Sequence, residues 1–215
     1  VRKVGTPRFR DYVERLGFGQ LTKVGFQKEA AGDVSALQKR GEIYSATAAF
    51  GQGIAVTPIQ LTAAVGAIAN QGQLMAPYIV EEIRKSNGAV IKTEPQLVRE
   101  AITPRTAALL GGMMVSVVEK GHGKRAGVKG YFVAGKTGTA QIPRQDAKGY
   151  EPGATIGTFV GFAPVENPRF VMLTRIDRPK DVQFAESSAA PLFGEIAKFL
   201  LQYWEVKPAR LEVRN

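Results

Sequence analysis

The chain has 215 residues, 44 % of them apolar and 22 % charged, a composition that supports a sizeable core and excludes disorder and collagen-like repeats. No apolar run approaches the roughly 20 residues of a membrane-spanning helix, and no basic-then-apolar leader is visible. Cysteine is absent and His122 is the single histidine, which removes disulfides, thiolate chemistry and the usual zinc sites.

With 29 Lys+Arg against 19 Asp+Glu the net charge is +10, an excess that suits a polyanion: nucleic acid, anionic lipid or an anionic wall polymer. The basic residues come singly and in pairs, never as a run of five, so nucleic acid is not expected as a partner.

In chain order, Thr6-Pro7 followed by Phe9, Tyr12, Val13 and Leu16 predicts a helix over 6–17 with Thr6 as N-cap. Residues 17–57 read as glycine-punctuated and irregular, ending in Phe50-Gly51-Gln52-Gly53. Thr57-Pro58 opens an alanine-rich helix over 58–71, a composition that suits close packing on all sides. Asn87-Gly88 centres a hairpin over 78–93. Thr103-Pro104 opens a helix over 104–120 with Leu109, Leu110, Met113, Met114, Val117 and Val118 on one face. The period then becomes extended, with strands over 131–141, 156–163 and 169–176, the last two forming an antiparallel hairpin. A final helix over 190–204 carries Leu192, Phe193, Ile196, Phe199, Leu200 and Tyr203 as its apolar stripe, and 206–215 is a tail. The class is α+β, and three strands are few for this length, so two more are expected from elsewhere.

Gly130-Tyr-Phe-Val-Ala-Gly135-Lys136-Thr137 matches the phosphate-loop pattern letter for letter. The match is rejected: the four intervening residues are bulky strand formers, and Gly138–Pro143 cannot begin the helix whose N-terminus would face a phosphate. The same residues make sense as a reactive strand. Alternation puts the Thr137 and Thr139 hydroxyls on one face, able to bind one carboxylate. Lys136 adds a cation, Gly138 lets a ligand lie against the backbone, and an unpaired edge N–H can stabilise an oxyanion.

Other candidates are weaker. His122 in Gly121-His122-Gly123 reads as a C-terminal helix cap. Glu119 and Glu186 have no evident partner carboxylate, which argues against a glycosidase pair. Arg144, Gln145 and Asp146 lie in the loop beyond the strand and are candidate substrate contacts. Gln52 and Gly53 read first as a turn. Tyr203 and Trp204 are expected to pack the last helix.

Gly130–Gln141 (GYFVAGKTGTAQ) resembles the third active-site motif of penicillin-binding transpeptidases, which share K-T-G with serine β-lactamases. Phe50–Leu61 (FGQGIAVTPIQL) resembles the segment ahead of a long helix in the class B, monofunctional members. Phe159–Arg169 (FVGFAPVENPR), Asp177-Arg178-Pro179 and Ala190-Pro191-Leu192-Phe193 are similar to later parts of the same family, in the same order. The family's S-x-x-K motif is missing: none of Ser35, Ser45, Ser86, Ser116, Ser187 and Ser188 has lysine three residues on. S-x-N is also missing, Ser86-Asn87 being a turn pair.

The resemblance implies a penicilloyl-serine transferase fold (β-lactamase/transpeptidase-like), of which residues 1–205 would be the C-terminal part, an antiparallel sheet with a C-terminal helix packed on it. It implies a peptidoglycan D,D-transpeptidase of septal or elongation type working through an acyl-serine, with this chain inactive alone. Lys136, Thr137, Gly138 and Thr139 become the candidate catalytic residues. Lys136, Thr137 and Thr139, with Gln52 and Gln141, become the candidate substrate contacts. The Thr139 N–H would be half of the oxyanion hole. No cofactor or metal is implied. Implied partners are stem peptides ending in D-Ala-D-Ala, β-lactams, the N-terminal part of the same domain, and a glycosyltransferase of the division or elongation machinery. The place implied is the outer face of the cytoplasmic membrane, with an N-terminal anchor helix in the parent protein. A non-catalytic penicillin sensor and a serine β-lactamase are the alternatives.

Overall fold

The computed structural model describes residues 1–144 and 146–209; Gln145 and residues 210–215 of the expected tail lie outside the described residues. The chain divides into two compact units, Val1–Pro104 and the residues from Arg105 onward.

The first unit contains α1 (Thr6–Arg15), α2 (Glu42–Ala48), α3 (Pro58–Ala69) and four short strands, β1 (Gln73–Ala76), β2 (Glu82–Arg84), β3 (Val90–Lys92) and β4 (Gln96–Glu100). The start of α3 is a full capping box. Thr57 Oγ1 accepts from the Gln60 N–H at 3.2 Å, and Gln60 Oε1 accepts from the Thr57 N–H at 3.0 Å. Gln60 is 1 % exposed, and its Nε2 donates to the carbonyls of Gln20 and Ala31 at 2.6 and 2.7 Å. One buried amide therefore satisfies the helix end and pins the irregular chain before it.

Several expectations change here. Gly5, not Thr6, is the N-cap of α1, because the Thr6 hydroxyl is committed to the buried Ser45 hydroxyl at 2.7 Å. Residues 17–57 contain α2 and a 3-10 turn over Ser35–Gln38. In the 78–93 hairpin the strands are Glu82–Arg84 and Val90–Lys92, with the Thr93 N–H closing their outer end onto the Glu81 carbonyl at 2.8 Å. The hairpin loop closes between Lys85 and Ala89, with Gly88 in the left-handed conformation at φ +82°. β1 and β4, absent from the sequence reading, pair antiparallel around that hairpin. Val13, Leu37 and Ala48 form one small core, and Ala67, Leu74 and Ala101 another.

The second unit contains α4 (Pro104–Lys120), β5 (Ala134–Pro143), β6 (Tyr150–Ala163), β7 (Phe170–Asp177) and α5 (Ala189–Tyr203). The strands form an antiparallel meander in the order β5-β6-β7, with Thr137 opposite Phe159 opposite Thr174, and Thr139 opposite Gly157 opposite Ile176. β6 begins at Tyr150, earlier than the expected 156, and β5 begins at Ala134, later than the expected 131. Among the described residues β5 and β7 are the sheet's two edges.

α5 covers the face that carries Phe159 and Thr174. The Phe159 and Phe193 ring centroids are 4.7 Å apart, and the Thr174 hydroxyl donates to the Ala189 carbonyl at 2.8 Å. The buried side of α5 keeps Phe193 of the expected stripe but otherwise differs from it. Ala189, Ala190, Phe193, Gly194, Ala197 and Leu201 face the core, whereas Leu192, Phe199 and Tyr203 are exposed. Small residues let the helix approach closely: a Cβ on Gly194 would lie 2.6 Å from the Arg125 carbonyl oxygen. Tyr203 stacks on Phe199 at the surface, and Trp204 lies beside Phe170. In α4 the buried positions are Ala107, Gly111 and Val118, with Leu109 and Met113 exposed.

Candidate active site

β5 runs unbroken through Lys136 and Thr137, and the next element among the described residues is another strand, β6, so the phosphate-loop letters carry no phosphate cradle. Along this edge strand Lys136 and Thr139 are exposed and Thr137 is half-buried. Gly138 packs its backbone against Thr158, whose hydroxyl donates to the Gly138 carbonyl at 3.2 Å. Any side chain at Gly138 would meet that hydroxyl at 2.6 Å, so the strand there stays flat and open.

Each threonine hydroxyl already has a donor on its oxygen. The Ala185 N–H donates to Thr139 Oγ1 at 3.1 Å. Lys136 Nζ donates to the Thr137 carbonyl at 2.8 Å and, at a long 3.4 Å, to Thr137 Oγ1. The backbone N–H on Thr139 fixes that oxygen as an acceptor and leaves its proton for another partner. The Thr137 hydroxyl, touched among the described residues only by the exposed lysine, is free to donate as well. The edge therefore offers an ammonium and two O–H donors, a set that matches a carboxylate.

The other sequence candidates are placed differently. Gln141 is exposed further along β5, opposite Thr155. Gln52 belongs to the first unit, in the turn after α2, where its N–H donates to the Thr47 carbonyl at 3.1 Å. Arg144 pairs with Asp146 at 3.2 Å and holds that carboxyl below the ordinary aspartate range; Gln145 lies outside the described residues. His122 does not cap α4. The Gly121 and Gly123 N–H groups both reach the Val117 carbonyl at 3.0 Å, and His122 Nδ1 lies 2.6 Å from Glu186 Oε2. Glu186, without a partner carboxylate in the sequence reading, is thus the histidine's partner.

The sequence reading missed Ala185 altogether. It lies 46 residues beyond Thr139, and no spacing rule joins them. One signal was available: Gly157, which falls opposite Thr139 in register, is a strand glycine of the kind that admits a close neighbour.

Residues 1–198 match the family described as the penicillin binding protein transpeptidase domain. The chain is 38 % identical over 218 residues to stage V sporulation protein D of Bacillus subtilis, covering 99 % of this chain and 33 % of that protein. It is 36 % identical over 211 residues to penicillin-binding protein PbpB of Mycolicibacterium smegmatis, covering 94 % of this chain and 32 % of that one. Among solved structures, apo penicillin binding protein 3 of Mycobacterium tuberculosis superposes with a TM-score of 0.89 at 33 % identity, over 97 % of this chain and 49 % of that one. The same protein complexed with aztreonam gives 0.88 at 32 %, with the same coverage. The chain thus spans about a third of the length of the curated relatives it matches, and its fold is that of these transpeptidase domains.

Proposed function

Because the chain belongs to the penicillin-binding protein transpeptidase family, in its class B branch, we propose that it forms the carboxylate-binding side of a peptidoglycan D,D-transpeptidase. Residues 1–205 are then the C-terminal part of that domain. The nucleophilic serine and its lysine come from the part of the protein outside this chain, and this chain alone is inactive.

In this reading the serine attacks the penultimate D-alanine carbonyl of a stem peptide, the terminal D-alanine leaves, and an amine from a neighbouring strand resolves the acyl-enzyme. Thr137 and Thr139 donate to the terminal carboxylate, and Lys136 supplies positive potential beside it. Gly138 leaves room for the ligand backbone, and the Thr139 N–H is half of the oxyanion hole. Gln141, further along the same strand, is an outer substrate contact. β-Lactams acylate the same serine, no cofactor takes part, and the work is done outside the cytoplasmic membrane by a protein with an N-terminal membrane anchor. A division or elongation glycosyltransferase supplies the glycan strands.

The observation that carries the reading is the donor set on β5: one ammonium and two hydroxyls whose oxygens already accept from Lys136 and Ala185. The test is intact-mass measurement after incubation with a penicillin. The full-length protein gains one adduct and the 215-residue chain gains none. A full-length protein without an adduct, or an adduct on this chain, overturns the reading.

A further inference from the structure

The Thr139 hydroxyl sits at an exposed edge, where a free rotor would point its proton in any direction. The Ala185 N–H on its oxygen removes that freedom, and Ala185 itself is fully buried. What holds Ala185 is the strap of chain between β7 and α5, Arg178–Ser188. At its start the Arg178 N–H donates to the Thr155 carbonyl at 2.9 Å, and the Arg178 guanidinium grips Glu151 at 2.8 Å. Midway, the Thr155 hydroxyl donates to the Gln183 carbonyl at 2.9 Å. Thr155 is 5 % exposed, so this hydroxyl has no water to turn to. Next to Ala185, the Glu186 carboxylate reaches His122 at 2.6 Å and ties the strap to the turn after α4. Beyond it, the Ala190 N–H returns to the Ala185 carbonyl at 2.9 Å.

The strap can lie on β6 only because residue 157 has no side chain. A Cβ there would stand 2.6 Å from Ser188 Oγ and 3.3 Å from Ala185 Cα. Gly157 is also the register partner of Thr139, so the strap meets the sheet directly beside the hydroxyl it orients.

We propose that Thr155, Glu186 and His122 are positioning residues for carboxylate recognition: they hold the strap so that the Ala185 N–H turns the Thr139 hydroxyl proton toward the ligand. This rests on the carboxylate-binding reading of β5 given above. The three differ in weight. Thr155 acts from a buried site, through the hydrogen bond of its hydroxyl to the Gln183 carbonyl. The His122–Glu186 pair is exposed, with side-chain exposures of 83 % and 42 %, and a surface pair contributes less.

The experiment uses the full-length protein and two forms of one penicillin, the free carboxylic acid and its methyl ester. The readout is the ratio of their second-order acylation rates. General damage to the protein lowers both rates together. A disoriented Thr139 hydroxyl lowers the acid rate more than the ester rate, because the hydrogen bond to the carboxylate is charge-assisted. Thr139→Val is the reference for complete loss of the donor. Thr155→Val is expected to cut the acid-to-ester ratio about fivefold, the discrimination of roughly one hydrogen bond, and Thr155→Ser to restore it. Glu186→Ala and His122→Ala are expected to cut the ratio about twofold.

If Thr155→Val leaves the ratio unchanged, or lowers both rates in proportion, the strap has no positioning role. Should Thr155→Val fail to fold, the exposed pair decides, and an unchanged ratio in Glu186→Ala and His122→Ala overturns the proposal. A wild-type protein that reacts with acid and ester alike overturns the carboxylate reading, and the strap's role with it. Selectivity that is lost in Thr139→Val and kept in the strap variants overturns the strap's role alone.

Discussion

Gly194→Ala sets two effects of opposite sign against each other in the middle of α5. Intrinsic helix propensity favours alanine over glycine by about 1 kcal/mol. Packing opposes it, because the new Cβ would lie 2.6 Å from the Arg125 carbonyl oxygen, 3.3 Å from Ala126 Cα and 3.4 Å from Ala126 C. These are backbone atoms, so no side-chain rotation relieves the overlap. Instead α5 must draw back from the Lys124–Ala126 turn by several tenths of an ångström, loosening the fully buried Phe193, Ala197 and Leu201 beside it. Overpacking of this kind costs about 3 kcal/mol at the upper end of its usual range. Subtracting the propensity gain leaves a net loss of about 2 kcal/mol, or a fall in melting temperature of roughly 4–8 °C for a body of this size. Gly112→Ala in α4 is the control. Nothing among the described residues lies within 4 Å of its Cβ, so it feels propensity alone and is expected to gain about 1 kcal/mol. Melting curves of the full-length protein and both variants decide the matter. A Gly194→Ala variant as stable as wild type, or more so, would refute the packing of α5 described above.

Three further outcomes are expected. Lys136→Ala should slow acylation by a fluorescent penicillin about a hundredfold or more while leaving stability within about 1 kcal/mol, and Lys136→Arg should recover only part of the rate because a planar fork does not fit the place of a compact ammonium; normal labelling of Lys136→Ala would sink the role given to it. Gln60→Leu should cost roughly 2–4 kcal/mol in denaturant unfolding, since it strips donors from the Gln20 and Ala31 carbonyls and an acceptor from the Thr57 N–H at once. Glu29 accepts from the Thr22 hydroxyl and from the Thr22 and Lys23 N–H groups, which holds its carboxyl below the ordinary glutamate range. A depressed folded value means that this contribution is present above the unfolded value and is lost as pH falls through the folded one, so Glu29→Gln should flatten the acid limb of stability against pH, and an unchanged limb would count against these bonds.

The parts of the fold that were legible in the sequence are those in which local chemistry and long-range packing agree. Thr57 and Gln60 are three residues apart and complete their box without help, so α3 starts where its letters place it. Thr6 carries a similar signal before a proline, but its hydroxyl is taken by Ser45, 39 residues away. α2 is seven residues long, begins at a glycine in the left-handed conformation, and has no side-chain cap, so nothing local announces it. β1 and β4 are four and five residues long and pair across an intervening hairpin. In α5 only Phe193 of the large-residue stripe is fully buried, because alanine and glycine face the sheet and residue size alone does not mark the buried side. In the candidate site the same division holds. Lys136-Thr137-Gly138-Thr139 could be read from four consecutive letters. The donors that turn the hydroxyls outward depend on where Ala185 and the Lys136 side chain come to rest, and the Ala185 bond spans 46 residues.

The sheet of the second unit also has a bearing on how the chain assembles. Each of its strands pairs with its immediate neighbour in sequence: Pro143 opposite Tyr150 closes the first hairpin, and Ala163 opposite Phe170 closes the second. Both closures span only a handful of residues, so little chain entropy is lost before the ladder bonds begin to repay it. Low contact order of this sort favours fast folding. The meander can therefore form as soon as residues 134–177 are available, presenting Phe159 and Thr174 as a ready template on which α5 condenses.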